Sequence, residues 1–271
     1  MLDLLKEAFN VKTDGLFLVV MGASGAGKSH FIGTYPGRVL LLYGAGESHG
    51  PGSAAKSNAN IVAIPWDRIK KDGSTIDLPP SQILSRIRSL LDPEALVAAG
   101  VKCVAVDSLT NLVADLKKTD AFMQRCLASN GKHNAFKETE ALIELTGTVI
   151  RQLQVLSDYH GIDSICTLDL QIQNIGADGT IIESKPGLPT FGVGKALIQQ
   201  FPDVLVLGRL GEDKQPTFQN LASVASTTSD QATKELVRYV EYNPRLRGAQ
   251  VMPATIAASV PAIMALKGEP K

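Results

Sequence analysis

The segment that most constrains this chain is Gly22-Ala23-Ser24-Gly25-Ala26-Gly27-Lys28-Ser29, which fits the pattern GxxxxGK[ST] at every fixed position. The apolar run at residues 16–21 precedes it and predicts a strand that is buried on both faces. We expect a helix from Lys28 to about Tyr35, because in this motif a strand leads through a glycine loop into a helix. The motif therefore predicts an α/β fold built around one loop.

The residue types in this loop suit a triphosphate. Glycines let the backbone curl so that successive N–H groups point inward at a phosphate. The helix that follows presents the positive end of its dipole to the same anion. Lys28 adds a cation for the β- and γ-phosphates, and the Ser29 hydroxyl can take one position on Mg²⁺. The cofactors predicted are ATP and Mg²⁺. The alternative is a glycine-rich turn without a ligand.

A carboxylate for the metal is expected at Asp107. The apolar run at residues 101–106 predicts a strand, and Asp107 follows it directly. A strand end beside the phosphate loop is where a carboxylate can hold Mg²⁺ or a water on it. The alternative is that Asp107 caps the helix that begins right after it, although Ser108 could take that role instead.

The rest of the chain alternates apolar strands with amphipathic segments. This pattern predicts a mainly parallel sheet with helices on both faces, in one domain over residues 1–271. Asp178-Gly179 is typical of a hairpin turn, which suggests an antiparallel extension near the C-terminus. Further strands are predicted at residues 38–43, 61–66, 162–170, 203–210 and 236–243. Helices are predicted at residues 1–14, 80–99, 135–159, 194–201 and in the tail at 251–271, with a flexible stretch at 44–60.

Composition limits the classes of protein. With 271 residues, 44% of them hydrophobic, the chain can bury a core without metals or disulfides. Its three cysteines are scattered, which disfavours a zinc site and fits a reducing cytosolic setting. The run at 16–21 is too short to cross a bilayer, so a soluble cytoplasmic protein is expected. The net charge is zero, so any contact with DNA would depend on local basic patches.

These residues resemble a known family. The loop Gly22–Ser29, the strand ending in Val106-Asp107-Ser108 and the order of later strands are similar to the RecA-type ATPase core. Within that group, the chain is most similar to short phage-encoded RecA-like ATP-binding proteins, some of which are described as single-strand-annealing recombinases. The resemblance implies an ATPase that acts as an oligomer in phage DNA recombination in the host cytoplasm, with single-stranded DNA as a partner.

The resemblance also implies further site residues. RecA-like proteins place a catalytic glutamate after the second core strand, and Glu47 lies in that region, where a carboxylate can orient the attacking water. The alternative is a solvated loop acid. The family carries a polar group at the end of the fourth strand, matched here by Asp169 or Gln171, but an ordinary strand end is the favoured interpretation.

Two arginines are expected to act between subunits. Arg245 and Arg247 resemble a basic pair that reaches the neighbouring nucleotide in hexameric relatives, where a guanidinium can neutralise charge on the transferred phosphoryl group. The alternative is a solvated surface turn. The loop at residues 129–134 and the hairpin at Asp178-Gly179 are expected to face DNA, again by resemblance alone.

Other functions remain open. The same core could serve helicase loading or DNA packaging, or the chain could be a nucleotide-binding regulator with little turnover. A nucleoside kinase is disfavoured, because the sequence has no arginine-rich lid segment.

Overall fold

Strands and helices alternate along most of the chain. The computed structural model describes residues 15–44, 46, 49–128, 131–175, 181–186, 188, 202–210, 216–220 and 255–256. The strands are β1 (Phe17–Gly22), β2 (Val39–Tyr43), β3 (Ile61–Pro65), β4 (Arg68–Lys71), β5 (Ser74–Asp77), β6 (Cys103–Asp107), β7 (Asp163–Ile175), β8 (Ile181–Pro186), β9 (Val204–Leu210), β10 (Pro216–Asn220) and β11 (Thr255–Ile256). The helices are α1 (Lys28–Gly33), α2 (His49–Ser57), α3 (Pro80–Leu90), α4 (Pro93–Ala98), α5 (Leu109–Leu116), α6 (Asp120–Arg125) and α7 (Ala135–His160).

One large sheet organises these elements. Its strand order is β11-β10-β9-β1-β7-β6-β2-β3, and β8 pairs with β7. Neighbours from β9 to β3 in this order run parallel, whereas β8, β10 and β11 pair antiparallel. The predicted mainly parallel sheet with an antiparallel extension is therefore confirmed. Because β7 lies between β1 and β6, the ends of these three strands meet at one edge.

Helices cover both faces of the sheet, as predicted. Alternate side chains of β1 point to opposite faces. Phe17, Val19 and Met21 pack with helices α3 to α7, and Leu18 and Val20 pack with α1 and α2. All five side chains are buried. A strand buried on both faces needs the continuous apolar run that the sequence shows, rather than an alternating one.

The longest helix confirms the prediction for residues 135–159. The Asn134 side chain accepts a hydrogen bond from the Phe136 N–H at 3.0 Å and so caps the N-terminus of α7. Gly161 ends the helix with a φ of 62°, a left-handed conformation that favours glycine. The predicted apolar face is buried at Leu142, Leu145, Val149, Leu153 and Leu156.

The three cysteines are free and fully buried. Cys103 and Cys166 lie in the adjacent strands β6 and β7, and Cys126 follows α6. Burial raises the pKa of each thiol above its ordinary value. Cys103 and Cys166 are therefore small residues of the core.

The predicted helix over residues 80–99 is wrong at its centre. Two helices, α3 and α4, occupy this stretch and are separated at Leu91 and Asp92. Pro93 has no N–H and its ring clashes with the preceding turn, so it begins a new helix instead of continuing the first. Asp92 caps that new helix by accepting a hydrogen bond from the Ala95 N–H at 3.0 Å.

The glycine-rich stretch 44–60 was expected to be flexible, yet residues 49–57 form α2. Packing explains the difference. Ala54 is fully buried against the sheet, and a Cβ added at Gly33 would lie 2.7 Å from the Ala54 carbonyl oxygen. The close approach of α1 and α2 therefore outweighs the weak helix propensity of the sequence.

The C-terminal tail departs from its predicted helix at two residues. Thr255 and Ile256 form β11 and pair antiparallel with Gln219 and Phe218 of β10. Strand β10 was not predicted. The remainder of the tail and the predicted elements at 1–14, 194–201 and 236–243 lie outside the described residues. The predicted hairpin is confirmed by the pairing of β7 with β8, although Asp178 and Gly179 themselves lie outside the described residues.

Candidate functional site

The loop between β1 and α1 forms a tight turn at the edge of the sheet. Gly25 and Gly27 have φ angles of 81° and 82°, which side chains with a Cβ rarely adopt. The Ala26 N–H donates to the Ala23 carbonyl at 3.1 Å and closes the turn. No side chain caps α1 within the described part of the chain, so the N–H groups of its first turn can bind an external acceptor.

Lys28 is held at the mouth of this loop. Its Nζ donates to the carbonyl oxygens of Gly22 and Ala23, each at 3.0 Å, and lies 2.8 Å from Asp169 Oδ1. The residue is 8% exposed. A buried ammonium needs such oxygen partners. Rotation of the long lysine side chain would break its contacts with the two carbonyls and the carboxylate and release the ammonium.

Ser29 and Asp107 form a second pair beside the lysine. The Ser29 hydroxyl donates to Asp107 Oδ2 at 2.7 Å, and the Thr167 hydroxyl donates to the other oxygen of the same carboxylate. Ser108 caps α5, because its Oγ accepts a hydrogen bond from the Asn111 N–H at 3.3 Å. The interpretation of Asp107 as the helix cap is therefore wrong.

Asp169 belongs to the site, so its interpretation as an ordinary strand end is also wrong. It pairs in register with Gly22, because β7 lies directly beside β1. Besides Lys28, its carboxylate lies 3.5 Å from the Ser108 hydroxyl, and its N–H donates to Thr110 Oγ1 at 3.1 Å. Strand β7 continues to Ile175, which places Asp169 inside the strand and at the edge of the parallel sheet.

These groups surround a cavity of about 340 Å³. It is lined by Ser24, Gly25, Gly27, Lys28, Ser29, His30, Gly50, Ser53, Asp107 and Asp169. The contribution of α2 was not predicted. A Cβ added at Gly50 would lie 2.8 Å from Asp107 Oδ2 and 3.0 Å from Ser29 Oγ, so only a glycine lets α2 approach this pair so closely.

The side-chain oxygen atoms in this cavity suit a hard cation that is also coordinated by phosphate oxygens. Within the described ranges there is no cluster of three His, Cys, Asp or Glu residues that could bind a metal alone. Mg²⁺ usually takes one or two protein oxygens and completes its octahedron with water and phosphate. Ser29 Oγ and Asp107 Oδ2, already 2.7 Å apart, fit that requirement.

The other predicted catalytic residues are not placed. Glu47, Arg245 and Arg247 lie outside the described residues, as does Ser129 in the loop expected to face DNA. Gln171 is on β7, two residues beyond Asp169, and its side chain is not described. The roles assigned to these residues stay predictions.

No protein-family model matches the chain, and no curated protein matches it significantly. Across the residues that the structure describes, no helix has both the length and the apolar composition needed to cross a membrane.

Proposed function

We propose that this chain is an ATP-binding protein and a Mg²⁺-dependent ATPase with a RecA-like P-loop core, acting as an oligomer in phage DNA recombination or single-strand annealing. The observation that carries the nucleotide part is the convergence of Lys28, Ser29, Asp107 and Asp169 on one cavity beside the glycine loop. The phage and recombination part depends on the resemblance of the sequence.

Binding of a triphosphate would change the partners of Lys28. Its ammonium now lies against two carbonyls and Asp169, and phosphate oxygens would replace some of these. The uncapped first turn of α1 would donate its N–H groups to the same anion. Asp169 would then face the triphosphate without its cation, so it must turn away or accept a hydrogen bond from a water near the γ-phosphate.

Ser29 and Asp107 would hold the metal. The hydroxyl now donates a hydrogen bond to the carboxylate oxygen, and both oxygens have lone pairs suited to Mg²⁺. The Thr167 hydroxyl would keep the Asp107 carboxylate oriented through its other oxygen. Bound Mg²⁺ would neutralise charge on the β- and γ-phosphate oxygens.

The remaining roles follow the resemblance. Glu47 would orient and deprotonate the attacking water. Arg245 and Arg247 of a neighbouring subunit would stabilise charge on the transferred phosphoryl group, which makes turnover depend on the oligomer. Helicase loading and packaging would use the same residues.

A regulator with little turnover is the second candidate. The Lys28–Asp169 ion pair favours it, because a carboxylate 2.8 Å from the ammonium competes for the cation that would otherwise neutralise charge on the transferred phosphoryl group. Such a protein would bind ATP without releasing phosphate at any protein concentration.

Calorimetric titration with ATP and Mg²⁺ tests the proposal. The wild-type chain should bind, and Lys28→Ala should weaken binding by on the order of 100-fold, because two charge-assisted hydrogen bonds are lost. Lys118→Ala is the matched control, because Lys118 pairs only with Asp115 in the described contacts and lies away from the cavity. Equal affinity in the wild type and Lys28→Ala would contradict the assigned site.

Phosphate release separates the two candidates. The ATPase interpretation predicts turnover that rises with protein concentration and with single-stranded DNA. Saturable binding with no release under either condition would support the regulator instead.

A further inference from the structure

A second cavity lies at the same edge of the sheet as the phosphate site. Its volume is about 610 Å³, and it lies between β2, β3, the β4–β5 hairpin and α3. We call it the hairpin groove. Tyr43, at the end of β2, pairs in register with Asp107 on one side and Pro65 on the other. The groove therefore begins one strand away from the carboxylate of the phosphate site. Its lining residues are Tyr43, Ala63, Ile64, Pro65, Arg68, Ile69, Lys70, Thr75 and Arg86.

The charged side chains that line the groove are all cationic. They are Arg68, Lys70 and Arg86, and no carboxylate is among the described lining residues. Arg86 Nε donates to the Pro65 carbonyl at 3.3 Å, which fixes this guanidinium at the floor. Arg68 Nε lies 2.9 Å from Asp77 Oδ1, but the Asp77 side chain is 81% exposed, so this ion pair is weak. The groove therefore suits an anionic ligand.

The rest of the lining is apolar or aromatic. Ala63, Ile64, Pro65 and Ile69 provide apolar surface, and Tyr43 provides a ring. A free phosphate would gain nothing from these side chains. A nucleotide unit joins an anion to a flat base, and bases stack favourably on aromatic side chains. The combination of cations, a tyrosine and apolar surface matches a nucleic acid whose bases are unpaired.

The hairpin itself contributes little to the core. Strands β4 and β5 form a separate two-stranded sheet, with Asp72 and Gly73 in the turn at φ angles of 51° and 79°. Residues 71–77 are all exposed. A two-stranded hairpin is only marginally stable alone, so this one is held by the chain at its base, where the Leu78 N–H donates to the Asp67 carbonyl at 2.7 Å. Its inward side chains are thus placed for contact with a ligand.

A strand suits these cations better than a single nucleotide does. Arg68 and Arg86 are half-buried and Lys70 is exposed, so these cations hold one phosphate weakly because salt screens them. Several linked phosphates add their contributions and release counterions together. A base-paired duplex keeps its base faces stacked inside the helix, where the Tyr43 ring cannot reach them.

We propose that the hairpin groove binds single-stranded nucleic acid, with Arg68, Lys70 and Arg86 contacting phosphates and Tyr43 stacking on a base. This deepens the proposed function, which includes single-stranded DNA as a partner, by giving that partner a site. The groove does not use the phosphate loop, so the two proposals can fail separately.

Fluorescence anisotropy with labelled oligo-dT and oligo-U of about 12 nucleotides, without ATP, tests the groove. Lys70→Glu should weaken binding about 10-fold or more, because it reverses a charge that lines the groove. Lys71→Glu is the matched control, since the adjacent lysine makes the same charge change but does not line the groove, and it should change affinity less than about twofold. Binding of either oligonucleotide supports the proposal, and the tighter one identifies the preferred sugar.

Two further variants separate phosphate contact from stacking. Lys70→Ala should lower the slope of log affinity against log salt by about 0.7, the value for one phosphate contact on a single strand. Tyr43→Ala should weaken binding about 5-fold to 10-fold with an unchanged slope, because stacking releases no counterion. Thermal unfolding that matches the wild type shows that each variant is folded.

Three results would overturn the proposal: no binding of either oligonucleotide by the wild type at low salt, equal losses in Lys70→Glu and Lys71→Glu, or equal affinity for a duplex or for poly-glutamate. Lys28→Ala should keep full oligonucleotide affinity. A chain that binds the oligonucleotide in this way but binds no ATP would refute only the nucleotide proposal.

Discussion

Both edges of the parallel sheet carry one buried and one half-buried carboxylate, but the partners of these groups differ. At the amino edge, Asp163 accepts hydrogen bonds from the Leu16 N–H at 2.6 Å and the Tyr35 hydroxyl at 2.8 Å, and Asp203 accepts from the Phe17 N–H at 2.8 Å. At the carboxyl edge, Asp107 accepts hydrogen bonds from the Ser29 and Thr167 hydroxyls. Asp169 pairs there with the Lys28 ammonium.

This difference in hydrogen-bond partners distinguishes carboxylates that stabilise the sheet from carboxylates that can contact a ligand. Main-chain donors at the amino edge cannot move unless the strands separate, so Asp163 and Asp203 hold the sheet together. Burial raises the pKa of the Tyr35 hydroxyl, which keeps its proton available for Asp163. Side-chain donors at the carboxyl edge can rotate, so their carboxylates can exchange partners with a ligand. Strand β7 carries one residue of each kind, Asp163 at its start and Asp169 farther along.

Replacing the structural carboxylate should have the largest effect on stability. Asp163→Asn removes the charge and one of the two acceptor oxygens, so the amide oxygen can accept from the Leu16 N–H while the Tyr35 hydroxyl keeps only the Lys102 carbonyl at 3.0 Å as its acceptor. We expect the free energy of unfolding to fall by about 2 kcal/mol, the net contribution of a hydrogen bond to a charged group. Urea denaturation measures this change, and ATP affinity of the folded variant should not change. A stability loss smaller than the error of the urea denaturation experiment would contradict the structural role of Asp163.

The same change at the other edge should affect ligand binding. Asp107→Asn keeps its shape and can still bond the Thr167 and Ser29 hydroxyls, so we expect the free energy of unfolding to change by less than about 1 kcal/mol. Loss of the metal-binding charge should weaken ATP binding in the presence of Mg²⁺ by about 10-fold. Titration with and without Mg²⁺ isolates this effect. An equal loss without the metal would argue against a metal role.

Asp169 gives a prediction of opposite sign. Asp169→Asn removes a negative charge next to Lys28 and leaves the ammonium to its two carbonyl partners. ATP should then bind about fivefold more tightly, because the anion no longer competes with a carboxylate. A fluorescent ATP analogue measures the change, with Asp115→Asn as a control for loss of one negative charge. Weaker binding in Asp169→Asn would show that the carboxylate assists the triphosphate.

The smallest effect on the free energy of unfolding is expected for the ion pair between Lys117 and Glu138. The hydrogen bond from Lys117 lowers the pKa of Glu138, so this carboxylate contributes stability above its ordinary pKa of 4.5 and loses it as the pH falls through its lowered value. Glu138→Gln should cost about 0.5 kcal/mol at neutral pH, as expected for a partly exposed pair. The difference from wild type should shrink as the pH falls below 4.5 and through the lowered pKa of Glu138. A constant difference from neutral to acid pH would exclude the ion pair as its source.

The sequence predicts the centre of the sheet better than its periphery. Strand β1, the loop and Asp107 are predictable because apolar runs and the GxxxxGK[ST] motif are local signals. The sequence alone favours an ordinary strand end at Asp169, because no local pattern shows that β7 lies between β1 and β6. An acidic residue within an apolar run is the available signal for Asp169. Because the carboxyl ends of parallel strands lie at the same edge of the sheet, such a residue can lie beside the glycine loop.

Elements that depend on packing were missed. Helix α2 is rich in glycine and exists because Ala54 and Gly50 pack closely against α1 and the Ser29–Asp107 pair. The β4–β5 hairpin did have a local signal, because Asp72-Gly73 is a favoured hairpin turn, but its strands are short and polar. No sequence pattern brings Tyr43 and Lys70 to one groove, since that depends on where the hairpin folds over β3.

The three buried thiols make the opening of this chain measurable without any engineered label. An alkylating reagent reaches Cys103 or Cys166 only when the central strands β6 and β7 separate, and reaches Cys126 when the end of α6 detaches. The order in which mass spectrometry finds the three sites modified would therefore report which part of the domain loosens first, and ATP should slow the two reactions in the sheet if its site joins α1 to β6 and β7.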